Sequence, residues 1–148
     1  MMGLKAMDLM IKDVVTIDLD TPVPDIARMF IDQRVGSLPV MESKQVKGIV
    51  TIKNLLKLFL PRHVKFLDIM LYFEHSDNVG VLLKRARGLR AEDIMNLEIV
   101  SVKPDAGFAS IVALLFEKKV HQLLVMDGSN LEGIISRLDI IKAFENHM

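Results

Sequence analysis

The feature that most constrains this chain is an internal repeat. Sliding the sequence along itself by 85 positions aligns residues 8–59 with residues 93–144 without a gap. Of the 52 aligned pairs 13 are identical, and most of the other apolar positions keep their apolar character. A duplication of this length predicts one fold made twice, so each position in one copy has a matched position in the other.

Both copies alternate strand patterns with helix patterns. "DVVTI" and "EIVSV" are rich in β-branched residues, which is typical of a short strand. "TPVPDIARMFIDQRV" places apolar residues at helical spacing, and "FASIVALLFEKKV" is apolar on more than one face, which predicts a buried helix. Two further strand runs and a closing helix follow in each copy. The order strand, helix, strand, strand, helix predicts an α/β (α+β) fold.

The repeat divides the chain into three segments. We expect a first unit over residues 1–60, a helical connector over 61–90 and a second unit over 91–148, which together form one module. In the connector, an amphipathic run after Pro61 and a short helix ending at Gly88 predict helical packing rather than a flexible tether.

Composition excludes several classes of protein. The 19 lysines and arginines balance 19 acidic residues, so no overall field attracts nucleic acid or an anionic membrane. The absence of cysteine excludes disulfides and thiolate sites. No uncharged apolar run approaches the roughly 20 residues that span a bilayer, and charges interrupt the N-terminal segment. We therefore expect a cytoplasmic protein that does not contact a membrane.

The chain lacks the short motifs of the common enzyme classes. It contains no G-x-x-x-x-G-K-[ST], H-E-x-x-H or G-x-S-x-G sequence, and its four histidines are scattered. We expect neither catalysis nor a metal site. The run "KRARGLR" holds four cations and could contact nucleic-acid phosphates, but cations are also favoured at a helix C-terminus and no aromatic residues accompany them. Nucleic-acid binding is therefore the least favoured interpretation.

Two related phrases, "GIVTIKN" at 48–54 and "GIISRLD" at 133–139, hold the polar residues of most interest. Ser136 and Asp139 have the spacing of a capping box at the start of a helix. They also lie where a helix N-terminus favours anions, and a carboxylate there can accept hydrogen bonds from both ribose hydroxyls. The two interpretations are compatible, and the sequence leaves both open.

The last residue of the phrase differs between the copies. Asn54 offers one carbonyl acceptor and an amide donor, whereas Asp139 offers two charged acceptors. Charge-assisted hydrogen bonds are roughly twice as strong as neutral ones. We therefore predict unequal sites, of which the one at Asp139 binds ligand and the one at Asn54 is weak or empty.

The order and duplication of these phrases resemble a known family. "RVGSLPVM" and "KVHQLLVM", with "GIVTIKN" and "GIISRLD", resemble the tandem cystathionine β-synthase (CBS) domain pair over nearly the whole chain. The resemblance implies two β-α-β-β-α units related by a pseudo-twofold axis, with two clefts between them. It also implies AMP, ADP, ATP or S-adenosylmethionine as a regulatory ligand, no required cofactor, and a homodimer.

The resemblance further implies that each cleft takes its ribose residues from one unit and its adenine pocket from the other. The first site would use Ser136, Arg137, Asp139, Val15, Val35, Gly36 and Ser37. The second, weaker site would use Thr51, Asn54, Val100, Val120, His121 and Gln122. The candidates for phosphate contact are Arg34, Lys119, His121 and Arg137. Leu124 stands where the first copy has Pro39, which is one departure from the family pattern, and Asn54 is another.

Two functions of different classes follow. The first is a sensor that binds an adenosine ligand and relays this to an unidentified partner protein by a conformational change. The alternative is a ligand-free scaffold for dimerisation or interaction, which the departures at Asn54 and Leu124 support.

Overall fold

A computed structural model describes residues 3–60 and 78–148. The first copy contains α1 (Ala6–Leu9), β1 (Ile17–Asp18), α2 (Val23–Gln33), β2 (Ser37–Glu42), β3 (Gln45–Thr51) and α3 (Ile52–Lys57). After α4 (Asn78–Arg87), the second copy contains α5 (Ala91–Ile94), β4 (Ser101–Val102), α6 (Phe108–Glu117), β5 (Gln122–Asp127), β6 (Asn130–Ser136) and α7 (Arg137–Asn146). Residues 61–77, which include the amphipathic run predicted after Pro61, lie outside the described residues.

Each copy forms its own three-stranded sheet. The strand orders are β1-β2-β3 and β4-β5-β6, and in both the first strand is parallel to the middle one while the third is antiparallel. Val40 pairs with Gly48 and Val125 with Gly133, and the register shifts after both valines. The duplicated α+β fold predicted from the repeat is therefore confirmed, and a short helix precedes the first strand of each unit.

Those two short helices cross over between the units. Ala6 and Leu9 of α1 are buried with Val125 of the second sheet. Ala91 of α5 is buried with Val40 of the first sheet. The exchange is reciprocal, so each hydrophobic core is completed by a segment from the other copy.

Backbone hydrogen bonds fix the crossing segments on the opposite sheets. Ile11 donates to the carbonyl of Ile134 at 2.9 Å, and Asn96 donates to the carbonyl of Ile49 at 2.8 Å. The approach is close enough to require glycine, since a Cβ at Gly48 would lie 2.7 Å from the Asn96 carbonyl oxygen. These contacts hold the two units side by side about a pseudo-twofold axis.

The long helices each bury one face in the core of their own unit. In α2 the buried residues are Val23, Ile26 and Phe30. In α6 Ile111 and Leu115 are buried, but Phe116 is 80% exposed. The prediction that α6 is buried on more than one face is therefore wrong, because only one face of it meets the sheet in this chain.

Candidate functional site

A cavity of about 500 Å³ lies where the two units meet. The first copy contributes Ile11, Asp13, Val14, Val15, Arg34, Val35, Gly36 and Ser37. The second contributes His121, Gln122, Ile134, Ser136, Arg137, Leu138, Asp139 and Lys142. All seven residues predicted for the first site thus line one cavity, whose size falls within the usual range for small-molecule sites.

The Ser136–Asp139 pair forms the capping box that its spacing predicts. The Ser136 backbone N–H donates to Asp139 Oδ2 at 2.7 Å, and the Ser136 hydroxyl donates to the same oxygen at 2.9 Å. The Asp139 N–H in turn lies 3.3 Å from Ser136 Oγ. Asp139 is 8% exposed, and its other oxygen, Oδ1, accepts no hydrogen bond from any described residue. The cap therefore uses one carboxylate oxygen and leaves one that can accept from a ligand.

Ser37 adds a second polar atom without a partner. Its side chain is 3% exposed, and its buried hydroxyl has no hydrogen-bond partner within the described part of the chain. An unsatisfied buried hydroxyl costs about 1–3 kcal/mol, so such groups are normally paired. Ser37 was predicted only to leave room for a ring, and a sequence gives no signal that its hydroxyl would lie unpaired beside this cavity.

Cationic side chains line the same cavity. Arg34, Arg137 and Lys142 are basic side chains, and Arg137 Nη2 lies 2.7 Å from both ring nitrogens of His121. Because a guanidinium has no acceptor, Arg137 is the donor in this contact. Lys119, the remaining phosphate candidate, instead lines an apolar groove of about 450 Å³ beside α6 and α7.

The residues predicted for the second site are arranged differently. Thr51 and Asn54 form a capping box at the start of α3, with the Thr51 N–H donating to Asn54 Oδ1 at 2.7 Å. Val100 and Val120 pack against the core of the second unit. Two further residues assigned to this site, His121 and Gln122, line the Asp139 cavity instead. β5 begins at Gln122, and a Cβ at Gly36 would lie 2.5 Å from Gln122 Nε2, so this side chain lies against the first copy.

The comparison with protein families decides the relationship that the repeat suggested. The model of the CBS domain matches residues 6–61 and 91–146. The chain belongs to the CBS domain family. The two matched segments coincide with the two structural copies, so the protein contains a CBS pair.

Several relatives share this arrangement. MJ1426 of Methanocaldococcus jannaschii is 28% identical over 149 aligned residues, which cover 92% of this chain and 88% of that protein. Subunit gamma-3 of the 5'-AMP-activated protein kinase of Bos taurus is 27% identical over 134 residues, covering 89% of this chain and 24% of that subunit. CBSX2, solved in complex with AMP, has a TM-score of 0.75 at 21% identity, with 98% of each chain covered. The last likeness shows the fold alone.

Some residues of the cavity were not anticipated from the sequence of this CBS pair. Ile11, Asp13 and Ile134 reach it because the segment after α1 crosses onto β6. Lys142 follows Asp139 by one helical turn, a spacing that could have indicated a shared face. No group of three or more acidic or histidine residues that could hold a metal ion occurs within residues 3–60 and 78–148. In the same ranges no helix has the length and apolar character needed to cross a membrane.

Proposed function

We propose that this CBS pair is a regulatory module that binds an adenosine-containing nucleotide in the Asp139 cavity and relays its occupancy to a partner protein. The observation that carries the proposal is that two polar groups without hydrogen-bond partners among the described residues lie at one cavity. Asp139 Oδ1 can accept from ribose hydroxyls, and the buried Ser37 hydroxyl lacks a partner. The AMP complex of CBSX2 and the name of the bovine kinase subunit support this ligand class.

The charges of the cavity favour a phosphorylated nucleotide. Arg34, Arg137 and Lys142 outnumber the acidic residues Asp13 and Asp139 along its walls. Arginine forks and lysine ammonium groups suit phosphate oxygens. S-adenosylmethionine has no phosphate, and its sulfonium and ammonium outweigh its single carboxylate, so this lining suits it less. We therefore place AMP, ADP or ATP ahead of S-adenosylmethionine.

The relay follows from the position of the cavity. Both units supply its walls, so a ligand that fits one arrangement of the units better than another will favour that arrangement. Such a shift is limited to the difference in binding free energy between the two states. We assign the module a regulatory role without catalysis, in the cytoplasm, where adenine nucleotides are abundant.

We propose that a second copy of this chain packs against the exposed faces of the helices. Ile31 and Phe116 occupy equivalent positions in the two copies and are 75% and 80% exposed. Leu56 and Ile141 are also equivalent and are 60% and 59% exposed. An apolar patch repeated by the pseudo-twofold axis suits a symmetric partner, since an isologous interface pairs the same surface from both subunits.

A charged substitution within this patch tests the proposed dimer. Phe116→Asp should raise the dimer dissociation constant at least about tenfold, because burying an unpaired charge costs more than one kcal/mol. Sedimentation equilibrium at several concentrations measures the constant. Leu97→Asp, at a side chain 74% exposed outside the patch, is the control. A wild-type chain that stays monomeric would contradict the proposal.

Ligand binding is tested by thermal unfolding with AMP, ADP, ATP and S-adenosylmethionine in turn. A nucleotide at about 100 times its Kd should add roughly 2.7 kcal/mol and raise Tm by about 5–10 °C. Asp139→Asn is the most informative variant, because an asparagine forms the same cap at the equivalent position 54. We expect Asp139→Asn to lose most of the shift while the Tm without ligand changes little.

The outcomes separate the two candidate functions. A shift in both proteins would remove Asp139 from the ribose site. No shift with any nucleotide would favour the alternative, a ligand-free dimerisation scaffold, which the exposed apolar faces of α2 and α6 also fit.

A further inference from the structure

The surroundings of the two capping residues, Asp139 and Asn54, differ at the second residue after each crossing helix. Ile11 follows α1 and lines the Asp139 cavity, where it offers no polar atom. Its equivalent after α5 is Asn96, whose Oδ1 accepts a hydrogen bond from Asn54 Nδ2 at 3.2 Å. Asp139 therefore shares its cavity with an apolar side chain, whereas Asn54 bonds a polar side chain from the opposite unit.

The orientation of the Asn54 amide is fixed by its own cap. Its Oδ1 lies 2.7 Å from the Thr51 backbone nitrogen and 3.0 Å from the Thr51 hydroxyl. A backbone N–H can only donate, so the oxygen must face Thr51 and the amide NH₂ must face Asn96. Both ends of Asn54 are thus engaged, and the side chain is 7% exposed.

The backbone holds Asn96 in place for this contact. Asn96 donates to the Ile49 carbonyl at 2.8 Å, and Ile49 donates to the Asn96 carbonyl at 3.0 Å. Gly48 permits the approach, because any Cβ there would meet the Asn96 carbonyl oxygen at 2.7 Å. Three hydrogen bonds, two from backbone and one from side chains, join Asn96, in the segment after α5, to the first copy.

We propose that Asn54 and Asn96 form a joint that fills the ribose position of the second cleft, so that the chain carries one nucleotide site. This inference rests on the proposed nucleotide function of the Asp139 cavity. In it Asn96 is a positioning residue: it engages the amide NH₂ of Asn54 and occupies the place that a ribose would take. The second cleft then links the two units while the first responds to ligand.

The stoichiometry of AMP binding by calorimetry tests the joint. Wild type should bind one AMP per chain. Asn54→Asp alone should also bind one, because Asn96 can rotate its amide to donate to the new carboxylate and keep the cleft closed. Asn54→Asp with Asn96→Ile copies the pair at Asp139 and Ile11, and it should bind two.

Two calorimetric results would overturn the inference. A second binding event in Asn54→Asp alone would mean that the missing carboxylate, rather than the joint, empties the cleft. A single event in the double variant would mean that the joint does not close it. Asp139→Asn added to the double variant is the matched control, and it should leave only the new site.

A thermal-unfolding cycle tests the joint without ligand. Asn96→Ala should lower Tm by about 2–4 °C, as expected for one hydrogen bond in a chain of this size. In the Asn54→Ala background the same change should lower Tm by less than half as much, because its partner is already lost. Equal decreases in Tm in both backgrounds would show that Asn54 and Asn96 are not coupled and would contradict the proposal. If wild type binds no AMP, the proposed nucleotide function fails, and this cycle still decides whether the two asparagines are coupled.

Discussion

The capping boxes of α3 and α7 have nearly the same geometry and leave different atoms available. In both, the backbone N–H of the capping residue donates to the side chain three residues later at 2.7 Å, and the return contact is 3.3 Å. At α7 Asp139 Oδ1 accepts no hydrogen bond from any described residue. At α3 the remaining amide group of Asn54 donates to Asn96 at 3.2 Å. Duplication thus preserved the cap, while the atoms that remain available beside it differ between the copies.

The largest expected effect tests whether the two copies contribute equally to stability. Ile26 and Ile111 occupy equivalent positions, and each is 0% exposed. Truncating either to alanine removes buried methylene groups and leaves a cavity, so each variant should lose about 2–5 kcal/mol of unfolding free energy. Urea unfolding followed by circular dichroism measures the loss. Leu97→Ala, at a side chain 74% exposed, should change little.

A pronounced inequality between Ile26→Ala and Ile111→Ala would contradict the equivalence of the two cores. It would mean that one copy unfolds while the other remains folded. Unfolding followed by two different probes would then give transitions that do not coincide.

An intermediate effect is expected where the copies differ in charge. Arg137 begins α7 and lines the cavity, whereas its equivalent at the start of α3 is Ile52. Arg137→Ile therefore copies the first unit, and it should raise the Kd for AMP about tenfold or more through the loss of a charge-assisted contact with phosphate. Isothermal titration measures this Kd. Lys119→Ile, outside the cavity, is the control, and an equal effect of both changes would argue against a specific phosphate contact.

The smallest effect compares the two caps directly. Ser136→Ala and Thr51→Ala each remove a hydroxyl that lies 3.3 Å from a backbone N–H of the first helical turn. The loss of an N-cap hydroxyl costs about 0.5–2 kcal/mol. Both variants should fall within this range and close to each other in chemical denaturation. A neutral Ser136→Ala would show that the second cap does not stabilise α7.

Much of the fold followed from the sequence because the repeat supplied each pattern twice. The β-branched runs, the helical spacing and the capping phrases all depend on neighbouring residues, and the structure contains each of them. The crossing of α1 and α5 could not be predicted in this way. A repeat gives the same pattern to both copies, so it cannot tell whether a segment packs on its own sheet or on the other.

The residues of the site could be predicted from the sequence to a similar extent. The phrase "GIISRLD" indicated Ser136 and Asp139, and both line the cavity. The partner of Asn54 was not predicted, because Asn96 is 42 residues away and becomes a neighbour only through the crossing segment. The exposure of Phe116 was missed for another reason, since apolar periodicity does not distinguish a core from a surface that another chain could cover.

The exchange of α1 and α5 bears on how such a chain could arise. Each copy completes the core of the other, so neither copy holds a full hydrophobic core by itself. An ancestral polypeptide with a single copy would have needed a second identical molecule, and each would have lent its first helix to the other. Fusion of two such genes would then have turned an intermolecular exchange into an intramolecular one. Once the copies shared a chain, Asp139 and Asn54 were free to diverge while the two cores remained mutually dependent.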